Sequence, residues 1–159
     1  STLLKESLKL LPYFDKGYNV VIGSRGAVRQ GASFVRKLMA KGFLFGRRLF
    51  LLRDIIDTQC GFKALKTDLA KKIFPELQFF KEKSNNSGWR VSAFDVEMLF
   101  MAQKWGYKIK EVLVQWQDED ASTTKGDDAT RFKKESKQML QEIIRVKRND
   151  LLGLYDQKK

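Results

Sequence analysis

The chain has 159 residues, 43% of them hydrophobic and 12% aromatic, with 31 Lys and Arg against 19 Asp and Glu for a formal net charge of +12. That composition excludes disorder, fits one domain with length enough for a core, and directs the chain toward phosphates, anionic headgroups or nucleic acid without choosing among them. Histidine is absent and Cys60 is the single cysteine, which excludes an internal disulfide, a cysteine-based metal site and a histidine-activated nucleophile; a reducing compartment fits, and acid–base chemistry falls to carboxylates, Lys or Tyr.

In chain order, Leu3, Leu4, Leu8, Leu10 and Leu11 recur at a rough helical period, predicting an amphipathic helix over Thr2–Phe14 that ends at Asp15-Lys16-Gly17. No secretory signal is visible at this end. The absence of an initiator Met leads us to expect that the chain begins inside a longer product, processing that removes the Met being the alternative. Tyr18–Ile22 reads as a buried strand, with Gly23-Ser24-Arg25 at its carboxyl end, where ligands gather in open α/β sheets. Gly26–Ala32 is a loop, and Ser33 can cap a helix running to about Leu52.

From Gly23 to Arg53 there is no acidic residue, while Arg25, Arg29, Arg36, Lys37, Lys41, Arg47, Arg48 and Arg53 alternate with Phe and Leu. Dense charge of one sign beside apolar surface points to an anionic, partly greasy partner. Its longest strongly apolar run, Leu49–Leu52, is far too short to span a bilayer.

Asp57–Phe62 is a turn into a short strand, Phe62–Leu65. Thr67 is placed to cap a helix over Asp68–Phe74 that stops at Pro75. Pro75–Gly88 reads as a lysine-rich loop. Ala93–Trp105 is the clearest helix, with Gly106 placed to close it; Tyr107–Trp116 is a strand, Gln117–Asp128 a polar loop, and Ala129 to about Leu152 a long charged helix. The order predicts an α/β fold with a small sheet of about three strands.

Each candidate motif has a functional and a structural reading. Gly23-Ser24-Arg25, backed by Arg29 and Arg36, can cradle a phosphate through guanidinium forks, or be solvated basic surface. Asp57–Phe62 can line a ligand or be an ordinary turn, and Cys60 reads as a packed thiol. Asp95 and Glu97 open a helix, where they can face a cleft or complement the helix dipole, with Ser92 and Asp95 approximating a capping box. Asp118-Glu119-Asp120 has metal-like spacing but reads as a solvated turn. The alternatives in function class are a basic nucleic-acid-binding module, for which no recognised motif is present, and a non-catalytic membrane-surface scaffold.

Taken together, Asp57–Leu65 (DTQCGFKAL), Ala93–Trp116 (AFDVEMLFMAQKWGYKIKEVLVQW) and Tyr18–Arg25 (YNVVIGSR) resemble the polyprenyl-phosphate branch of the family-2 glycosyltransferases, as does Arg145–Tyr155 (RVKRNDLLGLY). The resemblance implies a Rossmann-like GT-A fold. It implies inverting transfer of a hexose from a nucleotide sugar to a membrane polyprenyl phosphate of dolichyl type, on the cytoplasmic face of a membrane. It also implies Mg2+ or Mn2+ on the donor pyrophosphate.

On that resemblance, Arg25 and Arg36 match arginines on the acceptor phosphate. Asp57 and Gln59 match the turn beside acceptor and sugar, and Ser122 matches a serine after the last strand. Asp95 falls at the catalytic Asp position. The lysine expected near Ser122 is displaced to Lys125. The resemblance begins after the metal-binding D-x-D, so this chain is expected to be the carboxyl-terminal, acceptor-side half of the domain. No metal ligand is expected in it, no productive sugar-nucleotide binding is expected of it alone, and its partners are expected to be the two substrates and an anionic membrane surface, not nucleic acid.

Overall fold

The computed structural model describes residues 4–24, 52, 55, 57–58, 60–81, 93–115 and 128–157. The predicted basic helix over Ser33–Leu52, apart from Leu52 itself, the loop tip 84–88 and nearly all of the polar loop 117–128 lie outside the described residues.

The predicted first helix is broken. Leu4–Lys9 forms a 3-10 turn, and a short helix, α1 (Pro12–Asp15), follows with proline in its first turn. The proline nitrogen carries no hydrogen and its ring crowds the carbonyl four residues back, so one continuous helix cannot pass through Pro12, whereas a new one can begin there. The leucine periodicity was therefore misleading. Leu10 is buried, while Leu4, Leu8 and Leu11 are exposed.

Strand β1 (Val20–Ser24) is the centre of a three-stranded sheet. On one side it pairs antiparallel with β2 (Lys63–Leu65), and on the other parallel with β3 (Ile109–Leu113). Every residue of β1 is buried, as the unbroken run Val20-Val21-Ile22 requires of a strand covered on both faces.

Helix α2 (Thr67–Ile73) follows β2 after one residue. Thr67 was expected to cap it, but Thr67 lies inside the first turn, and Lys66 holds the cap position with extended dihedrals and no side-chain cap bond. Lys66 donates its N–H to the Asn19 carbonyl, 3.0 Å, and accepts from the Ala70 N–H, 3.0 Å, so the sheet itself fixes where the helix starts. Beyond it, the segment expected to be loop is in part helical. Phe74–Glu76 is a 3-10 turn and α3 (Gln78–Lys81) a single helical turn.

Helix α4 (Ala93–Lys104) is buried over Asp95–Ala102, as expected for a helix apolar nearly all round. Gly106 closes it at φ +79°. The Tyr107 N–H reaches the Ala102 carbonyl and the Gly106 N–H the Gln103 carbonyl, at 2.9 and 3.0 Å, the paired bonds of a left-handed helix end. Helix α5 (Asp128–Leu151) is amphipathic, with Ile143 and Val146 inward and Leu140 and Ile144 outward, and Gly153 ends it in the same way.

Two cores result. Val20 and Ile22 of β1 face α2, α4 and α5, together with Leu52, Ile55, Leu99, Met101 and Tyr155. Val21 faces Leu10, Tyr13 and Phe14 of the first segment, with Cys60 and Val114. This is the small α/β sheet flanked by helices that the element order predicts.

Candidate functional site

The register of the sheet sets up the site. Val20 stands between Leu65 and Ile109, and the next inward-facing residue, Ile22, stands between Lys63 and Glu111. Residues directly opposite across a ladder share a face. An apolar row is thus followed, one step nearer the carboxyl end of β1, by a row carrying a cation and an anion on either side of Ile22. Ser24, 6% exposed, is the next residue on that face.

Lys63 and Glu111 each hold other parts of the chain. The Lys63 ammonium lies 3.2 Å from Oδ2 of Asp95 on α4, with both side chains nearly fully buried, and it also donates to the Cys60 carbonyl. Glu111 Oε1 accepts the Asp57 N–H at 2.8 Å. Asp57 is therefore held from β3 and Cys60 from β2. Thr58, between them, is completely buried.

Burial pushes the Asp95 carboxyl above the ordinary carboxylate value, and the Lys63 charge and hydrogen bond pull it part of the way back. Desolvation penalises the anion more than the one adjacent cation compensates.

On the opposite face, Gly23 has no room for a side chain. A Cβ there would lie 3.0 Å from Val114 Cγ2, 3.2 Å from Cys60 Sγ and 3.2 Å from the Phe62 carbonyl oxygen. Cys60 is buried in this contact, in accord with a packed thiol. Close approach explains both the glycine after Ile22 and the cysteine in the turn.

Glu97, two residues after Asp95, has a separate task. It is fully buried and accepts the Gln78 N–H at 2.6 Å, the Phe79 N–H at 3.1 Å and Arg145 Nη2 at 2.8 Å. It fastens α3 and α5 to α4.

Of the candidate site residues, the fold therefore places Asp95 and Asp57 in one polar layer, joined through Lys63, Cys60 and Glu111. Arg25, Arg36, Gln59 and Ser122 lie outside the described residues. Lys63 and Glu111 were not singled out from sequence, yet alternation carried the signal. Lys63 shares the period of Leu65, and Glu111 that of Ile109, so both charges point inward.

Among the described residues no group of three or more Cys, Asp or Glu converges to hold a metal ion, and the polar layer already contains an ammonium. The described residues do not fit a divalent-cation site. Among them, too, no helix is long and apolar enough to cross a membrane.

Comparison with known proteins gives the family. No family model and no solved structure matches the chain. Curated relatives do. The chain is 37% identical over 123 residues to the dolichyl-phosphate beta-glucosyltransferase of Dictyostelium discoideum, covering 77% of this chain and 33% of that protein. It is 36% identical over 123 residues to the enzyme of the same name from Drosophila melanogaster, covering 75% and 35%. With that of Saccharomyces cerevisiae it shares 31% identity over 146 residues, covering 88% and 39%.

An α/β sheet with these relatives defines a glycosyltransferase chain of family 2. It belongs to the polyprenyl-phosphate branch of that family, and it spans 33% to 39% of the length of these three relatives.

Proposed function

We propose that this chain forms the acceptor-side part of an inverting glycosyltransferase that moves a hexose from a nucleotide sugar to a dolichyl-type polyprenyl phosphate. The observation that carries this reading is the buried Lys63–Asp95 pair, with the half-buried contact of Glu111 to the Asp57 N–H beside it, at the carboxyl end of β1, in a chain whose relatives bear the name dolichyl-phosphate beta-glucosyltransferase. Arg25 follows β1 directly in sequence.

In the proposed reaction, a phosphate oxygen of the acceptor forms a bond to the anomeric carbon from the face opposite the leaving group. The bond from that carbon to the nucleotide diphosphate oxygen breaks, and its electron pair stays on the diphosphate. The attacking phosphate oxygen is already anionic, so the step releases no proton and requires no strong base. Positioning and charge dominate such a transfer. Arg25 and Arg36 hold the acceptor phosphate, while Asp57, Gln59 and Ser122 line the site. Asp95 acts as an anion beside the reacting groups and anchors the turn that carries Asp57.

A divalent cation, Mg2+ or Mn2+, belongs to this reading on the donor side, with ligands outside this chain. The donor-binding half of the domain also lies outside it. The basic, apolar stretch from Gly23 to Arg53 meets anionic headgroups at the cytoplasmic face of the membrane.

The test uses the full protein containing this chain, assayed with UDP-glucose or GDP-mannose and a polyprenyl phosphate. Arg25→Ala and Asp95→Asn should each lower kcat/KM by about 100-fold or more, the range expected for lost electrostatic contacts. Absence of transfer by the unaltered protein, or folded variants that transfer at its rate, would sink the proposal.

A further inference from the structure

The geometry points to Lys63 as a positioning residue that sets the 57–60 turn against the start of α4. The inference rests on the function proposed above, since it gives that turn and Asp95 a common site. Its foundation is a single ammonium with two buried partners, the carboxylate of Asp95 at 3.2 Å and the carbonyl of Cys60. The Lys63 and Asp95 side chains are only 6% and 8% exposed. Lys63 belongs to β2 and is locked in register opposite Ile22 of the central strand. Strand, turn and helix start therefore meet at one nitrogen.

Stability alone gives little reason for this arrangement. Removing two charges from water offsets most of the attraction between them, and an apolar pair of similar volume would hold strand and helix together as well. An apolar pair would not hold the Cys60 carbonyl, nor offset the desolvation that disfavours an anion at position 95. Glu111 complements the device from the other flank of Ile22 by holding the Asp57 N–H at 2.8 Å. The turn is thereby registered against the sheet by a cation at one end and an anion at the other.

The prediction is specific to the acceptor side. In steady-state transfer by the full protein from UDP-glucose to a polyprenyl phosphate, Lys63→Met is expected to lower kcat about 10- to 100-fold while the donor KM stays within about twofold. Lys63→Arg, which keeps the charge, should recover part of the loss. In amide hydrogen exchange, the turn amides of Lys63→Met should exchange about 10-fold faster or more, while β1 and the later turns of α4 keep their rates.

Wild-type kcat in folded Lys63→Met, or unchanged exchange at the turn, overturns the proposal. So does an equal rise in exchange across β1, β2 and α4, which marks general destabilisation. If Lys63→Met does not fold, Lys63→Gln carries the same comparison; failure of both to fold makes Lys63 a stability residue and overturns the positioning role. If the unaltered protein transfers no sugar, the proposed function fails separately. Hydrogen exchange then still decides whether Lys63 holds the turn.

Discussion

Single residues in this chain do their work through what they exclude or neutralise. Gly23 excludes its own side chain so that Val114, Cys60 and Phe62 can close over β1. Glu6 is a buried carboxylate with two partners. It is 3% exposed and accepts the Gln115 N–H at 2.9 Å and the Lys9 ammonium at 2.6 Å, tying the first segment to the residues after β3. The Lys9 bond and the Gln115 N–H hold its carboxyl below the ordinary value of 4.5.

The folded protein therefore binds the Glu6 proton more weakly than the unfolded chain does. The stability Glu6 contributes is fully present above about pH 4.5 and is lost as pH falls through the lower folded value. Glu6→Gln should be less stable than the parent at pH 7, and the gap should shrink toward pH 3. Urea midpoints at the two pH values check this, and a gap that widens in acid contradicts it.

At the scale of elements, the decisive contacts run between helices through buried charge. Arg145 on α5 bonds Glu97 on α4 at 2.8 Å and Glu142 on its own helix at 2.7 Å, and its guanidinium lies 6.0 Å from the centre of the Phe79 ring. Burial opposes the Arg145 charge, but these two carboxylates outweigh it and hold the group firmly protonated. Glu97 also supplies acceptors for two N–H groups at the start of α3, which a single helical turn cannot satisfy within itself.

Truncation of Glu97 removes the acceptor that these three donors share. Glu97→Ala should cost about 3–5 kcal/mol of unfolding free energy, the range for breaking one side of a buried pair, read by chemical denaturation. A cost near that of a surface substitution would show that Glu142 alone suffices for Arg145. The far end of the same helix pair is fixed by Lys104, bonded to Asp150 at 2.7 Å and Asp156 at 2.6 Å, and by the Trp105 indole N–H on the Tyr155 carbonyl at 2.8 Å.

For the molecule as a whole, the sheet divides labour between its faces. One carries the large core with α2, α4 and α5; the other is covered by the short leading segment. The polar layer lies at the edge of the large core, so the site rests against the larger of the two described cores. The net charge of +12 acts at longer range. Binding of the protein to vesicles containing anionic lipid should fall steeply between low salt and about 0.5 M salt, because exposed charges are screened over a few ångströms at high ionic strength. Co-sedimentation measures this; binding that ignores salt, or equal affinity for nucleic acid, would remove the membrane surface as the electrostatic partner.

The sequence by itself determined the α/β class, the place of β1 to within two residues at each end, the extent of α4 and the glycine that ends it, because each follows from local periodicity and dihedral preference. It also marked Asp95 and the 57–62 turn, through motif likeness more than through physics. Local pattern misled at Thr2–Phe14, where leucine spacing outweighed a proline that the hydrogen-bond ladder could not accommodate. It also gave Thr67 a capping role that the sheet had already assigned to Lys66. Only the tertiary structure decided which of two neighbouring carboxylates faces the turn. Asp95 goes to Lys63 and Glu97 to Arg145 because residues two apart on a helix point in different directions. Their partners lie 32 residues before the one and 48 after the other, separations that only strand register and helix packing bring within bonding distance.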